Sequence, residues 1–455
     1  MFPSSRLGFT ALLLLPLTAH ATNGMNMDSW GAKSGGMGGA SFAYDSGNSA
    51  VMNNPATLAM RQHERAEVGL GLTVLLPTVS SNHPLAGARD SDGDAYYMPT
   101  LSWIRRQGDW TYGAAILAQG GMGTEYGSGS SLFAGGMSML NTPAPMSGQE
   151  IRSEVGVGRV MFPLAYRASD ALTLAAQLDF VWATMDLKMD IDGATFGKLA
   201  AGTRGVGSAS GSLLNAPLGN VSYARFDFSD DNAFSGEAKG TGWAGKLGIH
   251  YKLSDTLAVG ATWHSKTHIS DLEASHASVQ IGVVGAPSPV TMNGKIKVLD
   301  FQWPETYGFG LAWQSTSKLM LVGDVKRIRW SDSMKNFSLK FEADGGGDMT
   351  AVMAQNWKDQ TVSMLGGQYM YTPDLALRAG INVASNPVPS STLNPLFPAI
   401  IENHLTFGFG WRIDPASTLA ASLAYAPRVE DTNPNTGITS SHRQSTLRVN
   451  YNFTY

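Results

Sequence analysis

The C-terminal stretch STLRVNYNFTY, residues 445–455, decides the fold class. Every second side chain is apolar or aromatic, and the side chains between them are polar or charged. The apolar set is Leu447, Val449, Tyr451, Phe453 and Tyr455. A period of two is typical of a β-strand with one apolar face. Soluble sandwiches alternate in the same way, so the pattern predicts strands and leaves a sandwich and a barrel open.

Three features favour a membrane barrel. The alternation recurs in HLTFGFGWRI (404–413), TLAVGATWH (256–264) and GWAGKLGIHYKL (242–253), with aromatic residues near strand ends, as in the girdles of outer-membrane barrels. Short turns at 106–109, 167–170, 253–256, 314–318, 372–374 and 414–417 alternate with long loops near 80–94, 122–152, 190–240, 270–294, 332–356, 385–401 and 428–441. The chain also ends on an aromatic residue, which barrel-assembly machinery typically recognises. Six turns and seven loops predict an all-β, 14-stranded antiparallel transmembrane β-barrel.

The first residues predict export. Arg6 precedes an apolar run over residues 7–17, and Ala19-His20-Ala21 has the small-x-small pattern of a signal peptidase site. Residues 1–21 are therefore predicted to be a signal peptide. No later stretch approaches the roughly 18 to 20 apolar residues of a transmembrane helix, so the expected location is the outer membrane of a Gram-negative bacterium.

Composition narrows the chemistry. Only 15% of the residues are charged, and the net charge of −4 argues against a nucleic-acid partner. The chain has no cysteine, which excludes thiolate metal sites and cysteine nucleophiles. No Gly-x-Ser-x-Gly elbow or His-Glu-x-x-His spacing is present, so we expect no enzyme activity, metal or cofactor.

The segment before the first strand is rich in Gly, Ala, Ser and Asn. A barrel of fourteen strands encloses more space than its own side chains fill. We therefore expect residues 22–62 to fold into the lumen as a plug, or hatch, and residues 63–455 to form the barrel.

The stretch NGMNMDSWGAKSGGMGGASFAYDSGNSAVMNNPATLA, residues 23–59, resembles the N-terminal hatch of the FadL/TodX outer-membrane transporters of long-chain fatty acids and aromatic hydrocarbons. The triplet Asn54-Pro55-Ala56 matches the hallmark of that hatch. Further similarity lies in FQWPETYGFGLAW, NWKDQTVSMLGGQY and PAIIENHLTFGFGW. The resemblance implies passive uptake of hydrophobic molecules, most readily long-chain fatty acids, with aromatic or aliphatic hydrocarbons as the alternative.

The resemblance also implies a route. Ligand is captured by extracellular loops, released by the hatch and passed sideways through a gap that a kink in the third strand opens. Here the third strand is expected at 109–119 and runs into a glycine cluster, Gly120, Gly121 and Gly123. Glycine marks bulges and bends in strands. The same glycines could instead simply begin the second long loop.

Further candidates for ligand contact lie in the loops. Leu132, Phe133, Met137, Met139 and Leu140 form an apolar, methionine-rich set suited to a capture groove, although they could equally pack among loops. Lys188 and Lys340 are candidates for binding a fatty-acid carboxylate, with exposure to solvent or lipopolysaccharide as the alternative. If neither lysine lines the pocket, a neutral hydrocarbon becomes the better substrate.

Two functions of other classes stay open at this stage: an outer-membrane lipid hydrolase and a general diffusion porin. The expected partners are a hydrophobic small molecule, outer-membrane lipid and lipopolysaccharide, and the barrel-assembly machinery during biogenesis.

Overall fold

The computed structural model describes residues 23–61, 64–134, 146–215, 220–232 and 236–455. These residues form one antiparallel sheet of 22 strands. The strands are β1 (Ala66–His83), β2 (Gly87–Asp90), β3 (Tyr96–Gln107), β4 (Trp110–Tyr126), β5 (Ile151–Arg167), β6 (Leu172–Asp192), β7 (Gly207–Ser210), β8 (Val221–Phe228), β9 (Ala238–Lys252), β10 (Leu257–His264), β11 (His268–Ile269), β12 (Leu272–Val283), β13 (Val290–Leu299), β14 (Thr306–Gln314), β15 (Leu319–Ile328), β16 (Asn336–Ala343), β17 (Asp348–Ala354), β18 (Gln360–Met370), β19 (Leu375–Ala384), β20 (Asn403–Arg412), β21 (Ser417–Thr432) and β22 (Thr439–Thr454).

Helices are few and short. They are α1 (Ala32–Gly35), α2 (Ser131–Ala134) and α3 (Gly193–Ala200), with 3-10 helices at Gly47–Val51, Pro55–Met60, Ser212–Asn215, Trp330–Asp332 and Ser390–Thr392. Within the described ranges, no helix has the length and apolar character needed to cross a membrane.

The sheet closes because its first and last strands pair. The ladder between β1 and β22 runs from Glu67↔Thr454 to Asn82↔Thr439. The alternation of residues 445–455 is an alternation between inside and outside: Arg448 is fully buried, whereas its neighbour Val449 is 39% exposed. The outward set is apolar throughout the wall, as a surface facing lipid requires.

The short turns lie together at one end of the wall. All six turns predicted from the sequence join neighbouring wall strands, and this prediction is confirmed. Exposed aromatic side chains gather at this short-turn end, among them Trp110, Tyr166, Tyr251, Trp313, Tyr369 and Trp411. Their position is that of an aromatic girdle at a membrane interface.

The predicted strand count is wrong. β6 pairs with β9 along Leu172–Met185, but its last residues, Leu187–Asp192, pair with β8 instead. β8 pairs with β12, and β12 meets β9 at Glu273↔Lys239. At the height of β8 and β12, the closed circuit of paired strands therefore contains sixteen strands rather than fourteen.

The error has a physical cause. The excursions at 190–240, 270–294 and 332–356 were expected to be loops, yet they contain β7, β8, β12, β13, β16 and β17. These strands continue the sheet beyond the ends of β6 and β9 and satisfy backbone groups that a loop would leave exposed. In β16 the apolar side chains Phe337, Leu339 and Phe341 are buried, and the polar side chains between them are less buried, which is the reverse of the apolar outer face of the membrane-spanning strands.

Residues 23–61, here called the N-terminal segment, are mostly buried and contact wall strands on several sides. α1 packs against β20, β21 and β22, whereas the 3-10 helix Pro55–Met60 packs against β5, β6 and β9. The wall therefore surrounds this segment.

Substitution on the outer face tests the contact with lipid. Phe407 is 60% exposed near the middle of β20. We expect Phe407→Arg to lower the free energy of unfolding by about 2–4 kcal/mol, because a cation loses its hydration in the bilayer core. Phe407→Leu is the matched control and should cost much less. Urea unfolding in phospholipid vesicles measures both, and equal losses would mean that β20 does not face lipid.

Candidate ligand cavity and wall opening

The wall has an opening between β3 and β4. Their ladder begins at Gln107↔Trp110 and stops at Leu101↔Ile116, although β3 starts at Tyr96 and β4 continues to Tyr126. Residues 96–100 of β3 still pair with β1, and residues 120–126 of β4 still pair with β5. The two strands thus separate while each keeps its outer neighbour. We call this gap the wall window.

A bulge in β4 accompanies the separation. The register between β4 and β5 shifts between Ala118 and Gly120, so Gln119 is the extra residue. Bulges bend the strand that carries them. On the other side of the window, Pro99 lies inside β3, and proline has no amide hydrogen with which to pair a neighbouring strand. Both features weaken the pairing between β3 and β4 at the same height in the wall.

The window is bounded above as well as below. The amide of Asp92 donates to the carbonyl of Glu125 at 2.8 Å, so the chain after β2 rejoins the upper end of β4. Pro99 is opposite Leu72 in β1, and Leu72 is opposite Val449 in β22. Leu72 and Val449 both face outward, so the window lies at the height of the apolar outer face.

A cavity of about 660 Å³ lies behind the window. Its inner lining includes Met25, Met27, Met98, Met122, Val155 and Val157, and Trp182 lines it from the opposite face of β6 to the buried Val181 and Ala183. Its lining also includes side chains that are about half exposed on the outer surface: Leu70, Tyr97, Leu101 and Ile116. The cavity therefore reaches from the barrel interior through the wall.

The start of the N-terminal segment forms the inner side of this cavity. Residues 23–29, here called the N-terminal arm, run along the kinked part of β4. The amide of Gly121 donates to the carbonyl of Met25 at 3.0 Å, and Asn26 pairs with Gly120. Asn26 Oδ1 accepts a hydrogen bond from Trp303 Nε1 at 2.7 Å. A Cβ atom at Gly120 would lie 2.3 Å from the Met25 carbonyl oxygen, so only glycine allows this approach.

Buried charged side chains hold the N-terminal segment to different parts of the wall. Arg448 of β22 forms an ion pair with Asp28. The carboxylate of Asp324 in β15 accepts the backbone amides of Ser41 and Phe42, at 2.5 and 3.0 Å. The Lys246 ammonium group of β9 donates to the Val51 carbonyl at 3.3 Å. Burial alone would raise the pKa of Asp28, but the adjacent Arg448 guanidinium holds that pKa below its ordinary value.

The triplet Asn54-Pro55-Ala56 lies apart from the cavity. Asn54 caps the following 3-10 helix by accepting the Ala56 amide at 3.1 Å. Its side-chain amide donates to the carbonyls of Phe42 at 2.7 Å and Ile249 at 2.9 Å. Thr173 donates to the Ala56 carbonyl at 3.0 Å. The triplet therefore fixes the N-terminal segment to β6 and β9 and does not line the cavity.

The three glycines predicted from the sequence do line the cavity. Gly120, Gly121 and Gly123 lie inside β4, which extends beyond its expected end at residue 119 to Tyr126. The Tyr96 hydroxyl lies 2.4 Å from the position that a Cβ atom at Gly123 would take. The alternative reading, in which these glycines begin the loop, does not fit their position in the strand.

The two candidate lysines lie away from the cavity and have acidic partners. Lys188 is 2.6 Å from an Asp231 oxygen and 3.4 Å from a Glu150 oxygen. Lys340 is 2.6 Å from Glu342, whose carboxylate raises the pKa of Lys340. Within the described ranges, the cavity lining contains no lysine or arginine, whereas it contains the carboxylates of Asp28 and Glu154.

Two members of the predicted capture set are described. Leu132 and Phe133 lie in α2 and are buried, with the Phe133 ring 4.7 Å from that of Tyr126. Met137, Met139 and Leu140 lie outside the described residues. Phe133 therefore packs against the upper end of β4, and neither residue lines the cavity.

Comparison with known proteins identifies the family. The family described as outer membrane protein transport protein (OMPP1/FadL/TodX) matches residues 18–454. The chain belongs to this family. The OMPP1/FadL/TodX proteins are outer-membrane transporters of hydrophobic compounds, which confirms the predicted location and the expectation of a transporter rather than an enzyme.

Solved structures agree with the family over almost the whole chain. The toluene transporter TodX of Pseudomonas putida is 29% identical, with a TM-score of 0.80, and the match covers 95% of this chain and 100% of TodX. The toluene transporter TbuX of Ralstonia pickettii is 28% identical, with a TM-score of 0.75, over 94% of this chain and 98% of TbuX.

A curated relative matches over a shorter stretch. An uncharacterised protein from the 5′ region of the phosphoenolpyruvate carboxykinase gene of Chlorobium limicola is 44% identical over 111 residues. The match covers 24% of this chain and 53% of the relative, so this chain spans about half the length of that protein.

The sequence analysis did not identify several residues of the cavity and of the wall window. Met98, Trp182 and Met25 line the cavity, and Gln119 is the bulged residue. One signal was available: Pro99 inside an otherwise regular strand indicates an edge where pairing stops. The partners of Gln119 come from distant parts of the chain and carry no local signal.

Two glycines that line the cavity give a matched test. We expect Gly120→Ala to displace the N-terminal arm and to cost about 1–3 kcal/mol of stability, because its Cβ would overlap the Met25 carbonyl. Gly156→Ala is the control, since its Cβ would meet only Thr184 Oγ1 at 3.6 Å. Thermal unfolding and proteolysis of the arm report both effects. Equal behaviour of the two variants would contradict the close approach.

The cap at Asn54 gives a second test. Asn54→Ala leaves two buried carbonyls and one amide without their partner, so we expect a loss of about 3 kcal/mol or more. Asn435→Ala removes one exposed hydrogen bond and should change stability by less than about 0.5 kcal/mol. Chemical unfolding in detergent compares them, and a small loss for Asn54→Ala would show that the cap is not needed.

Proposed function

We propose that this transporter takes up neutral hydrophobic molecules of the aromatic-hydrocarbon class and releases them sideways into the outer membrane through the wall window. One observation carries the proposal: the cavity behind the window is largely apolar, has no lysine or arginine among its described lining residues, and reaches the apolar outer face. Each buried methylene or equivalent carbon contributes about 0.8 kcal/mol, so a small hydrocarbon gains enough to bind and still leave.

The lining suits neutral ligands of varied shape. Met25, Met27 and Met98 provide flexible thioethers that adapt to different partners, and Trp182 provides an aromatic face. A carboxylate ligand would lose its hydration in this cavity without gaining a cation. The two carboxylates of the lining, Asp28 and Glu154, are already paired with Arg448 and Arg152, so these guanidinium groups are engaged within the protein.

The similarity to TodX and TbuX supports the same substrate class, because both are described as toluene transporters. Long-chain fatty acids, which the sequence resemblance favoured first, remain the second candidate. Their uptake would be favoured by a lysine or arginine, and the described lining of this cavity supplies neither.

The N-terminal segment acts in this proposal as the hatch that the sequence predicts over residues 22–62. Its arm separates the cavity from the rest of the lumen, and its ion pair between Asp28 and Arg448 fixes the arm at the cavity. Asn54-Pro55-Ala56 holds the far end of the segment at β6 and β9. The sequence set Leu132, Phe133, Met137, Met139 and Leu140 is the proposed place of first capture. Lys188 and Lys340 take no part in binding.

The choice between neutral and charged ligands is testable with toluene and benzoate, which share a ring. We expect the purified protein in lipid nanodiscs to retain at least about tenfold more toluene than benzoate at pH 7, since burial of an unpaired carboxylate costs more than about 1.4 kcal/mol. Gas chromatography and liquid chromatography of the bound fraction measure the two.

A substitution in the cavity lining provides a second test of the substrate class. Gln444 lines the cavity, so Gln444→Lys adds a cation there, and it should increase benzoate retention. Gln444→Met is the uncharged control of similar length and should not. Equal retention of toluene and benzoate by the unaltered protein would contradict the proposed substrate class.

A further inference from the structure

We propose that Gln119 is a positioning residue for lateral release: Arg159 holds its side chain inside the barrel, and this brace keeps β4 bent away from β3 so that the wall window stays open. The proposal rests on the lateral route described above. It adds a specific cause for the opening and a link between the opening and the N-terminal arm.

The register shows what the bulge prevents. Below the window, β3 and β4 pair with Leu101 opposite Ile116. A regular continuation of that ladder would place Pro99 opposite Ala118 and Met98 opposite Gln119. Instead, the Gln119 side chain is turned inward and is 98% buried, at 2% exposure, and the ladder stops. The extra residue in β4 therefore coincides with the loss of pairing to β3.

A buried charged network holds Gln119 in this position. The Arg159 guanidinium donates through Nε to Gln119 Oε1 and through Nη1 to Asp179 Oδ2, the latter at 2.9 Å. Asp179 is itself fixed by Gln177 Nε2 at 2.7 Å and by His264 Nε2 at 3.0 Å. These partners lie on β5, β6 and β10, so the brace reaches across several wall strands to the kinked one.

The N-terminal arm and its neighbour complete the brace from inside. Trp30 Nε1 donates to the Gln119 carbonyl at 3.3 Å, and the Gly121 amide donates to the Met25 carbonyl at 3.0 Å. Buried backbone groups require partners, and β3 no longer provides them at this height. The N-terminal segment thus serves as the replacement partner for the edge of β4.

Two arrangements of β4 therefore compete. With the brace and the N-terminal arm in place, β4 bonds to the arm inside the barrel and the window is open. Without the brace, the ladder to β3 can extend upward by several residues, because a strand edge in an apolar environment gains hydrogen bonds by doing so. Loss of the Gln119 side chain should therefore shift the equilibrium toward a narrower window.

A disulfide across the window measures this shift, and the absence of native cysteine makes the measurement clean. The reporter is the pair Pro99→Cys and Ala118→Cys, which faces across an extended ladder. A disulfide requires Cα atoms within about 7 Å. We expect slow cross-linking by a mild oxidant with Gln119 intact and about tenfold faster cross-linking with Gln119→Ala, the factor for one charge-assisted hydrogen bond.

Two controls separate the brace from general loosening. Gln119→Glu keeps an acceptor for Arg159 and should cross-link as slowly as the protein with Gln119 intact. The pair Ser102→Cys and Ala115→Cys lies in the intact ladder and should cross-link equally in every background. Equal rates for Gln119→Ala and Gln119→Glu at the reporter pair would overturn the brace.

Toluene uptake by the oxidised protein tests the underlying route separately. If the disulfide across the window stops uptake but Gln119→Ala does not speed cross-linking, the lateral route stands and the brace is wrong. If Gln119→Ala speeds cross-linking but the disulfide leaves uptake unchanged, the brace stands and the lateral route is wrong. Faster cross-linking together with reduced uptake by Gln119→Ala before oxidation is the result that we expect.

Discussion

A backbone in lipid must satisfy every N–H and C=O group internally, and this constraint governs the molecule. It explains why β1 pairs with β22 along almost their full length and why the outer face is apolar. It also makes the wall window informative, because two strands at that height give up their mutual hydrogen bonds. The cost is reduced by β1 and β5, which keep their own ladders, and by the N-terminal arm, which bonds to β4 at Gly121.

The interior divides into a polar part and an apolar part. Ion pairs and charged hydrogen bonds from Arg448, Asp324 and Lys246 fix the N-terminal segment, and truncating one partner of such a buried pair is costly. Beside this polar anchorage lies the methionine-rich cavity, which opens to the side. On the proposed route, a neutral hydrophobic molecule therefore meets a suitable surface between the loops and the lipid, whereas a charged one does not.

The sequence was sufficient for an all-β outer-membrane barrel and its six short turns, but not for the number of strands, because alternation and turn residues are local signals. The strand count was wrong because β8 and β12 lie in excursions that were expected to be loops, and their pairing partners are distant in the chain. The glycines of β4 were recognised, but Gln119 and Arg159 were not, since their contact joins two strands across a long loop. The positions of Lys188 and Lys340 depended on acidic partners that no local pattern reveals.

Lateral release depends on a cavity that binds hydrocarbon and opens through the wall between β3 and β4. Anomalous diffraction from crystals grown with bromobenzene tests this most directly, because bromine can be located without ambiguity. We expect bromine peaks beside Met25, Met98 and Trp182 and a further peak in the window between Pro99 and Ala118. Bromine along the barrel axis beneath the N-terminal segment, with none in the window, would contradict lateral release.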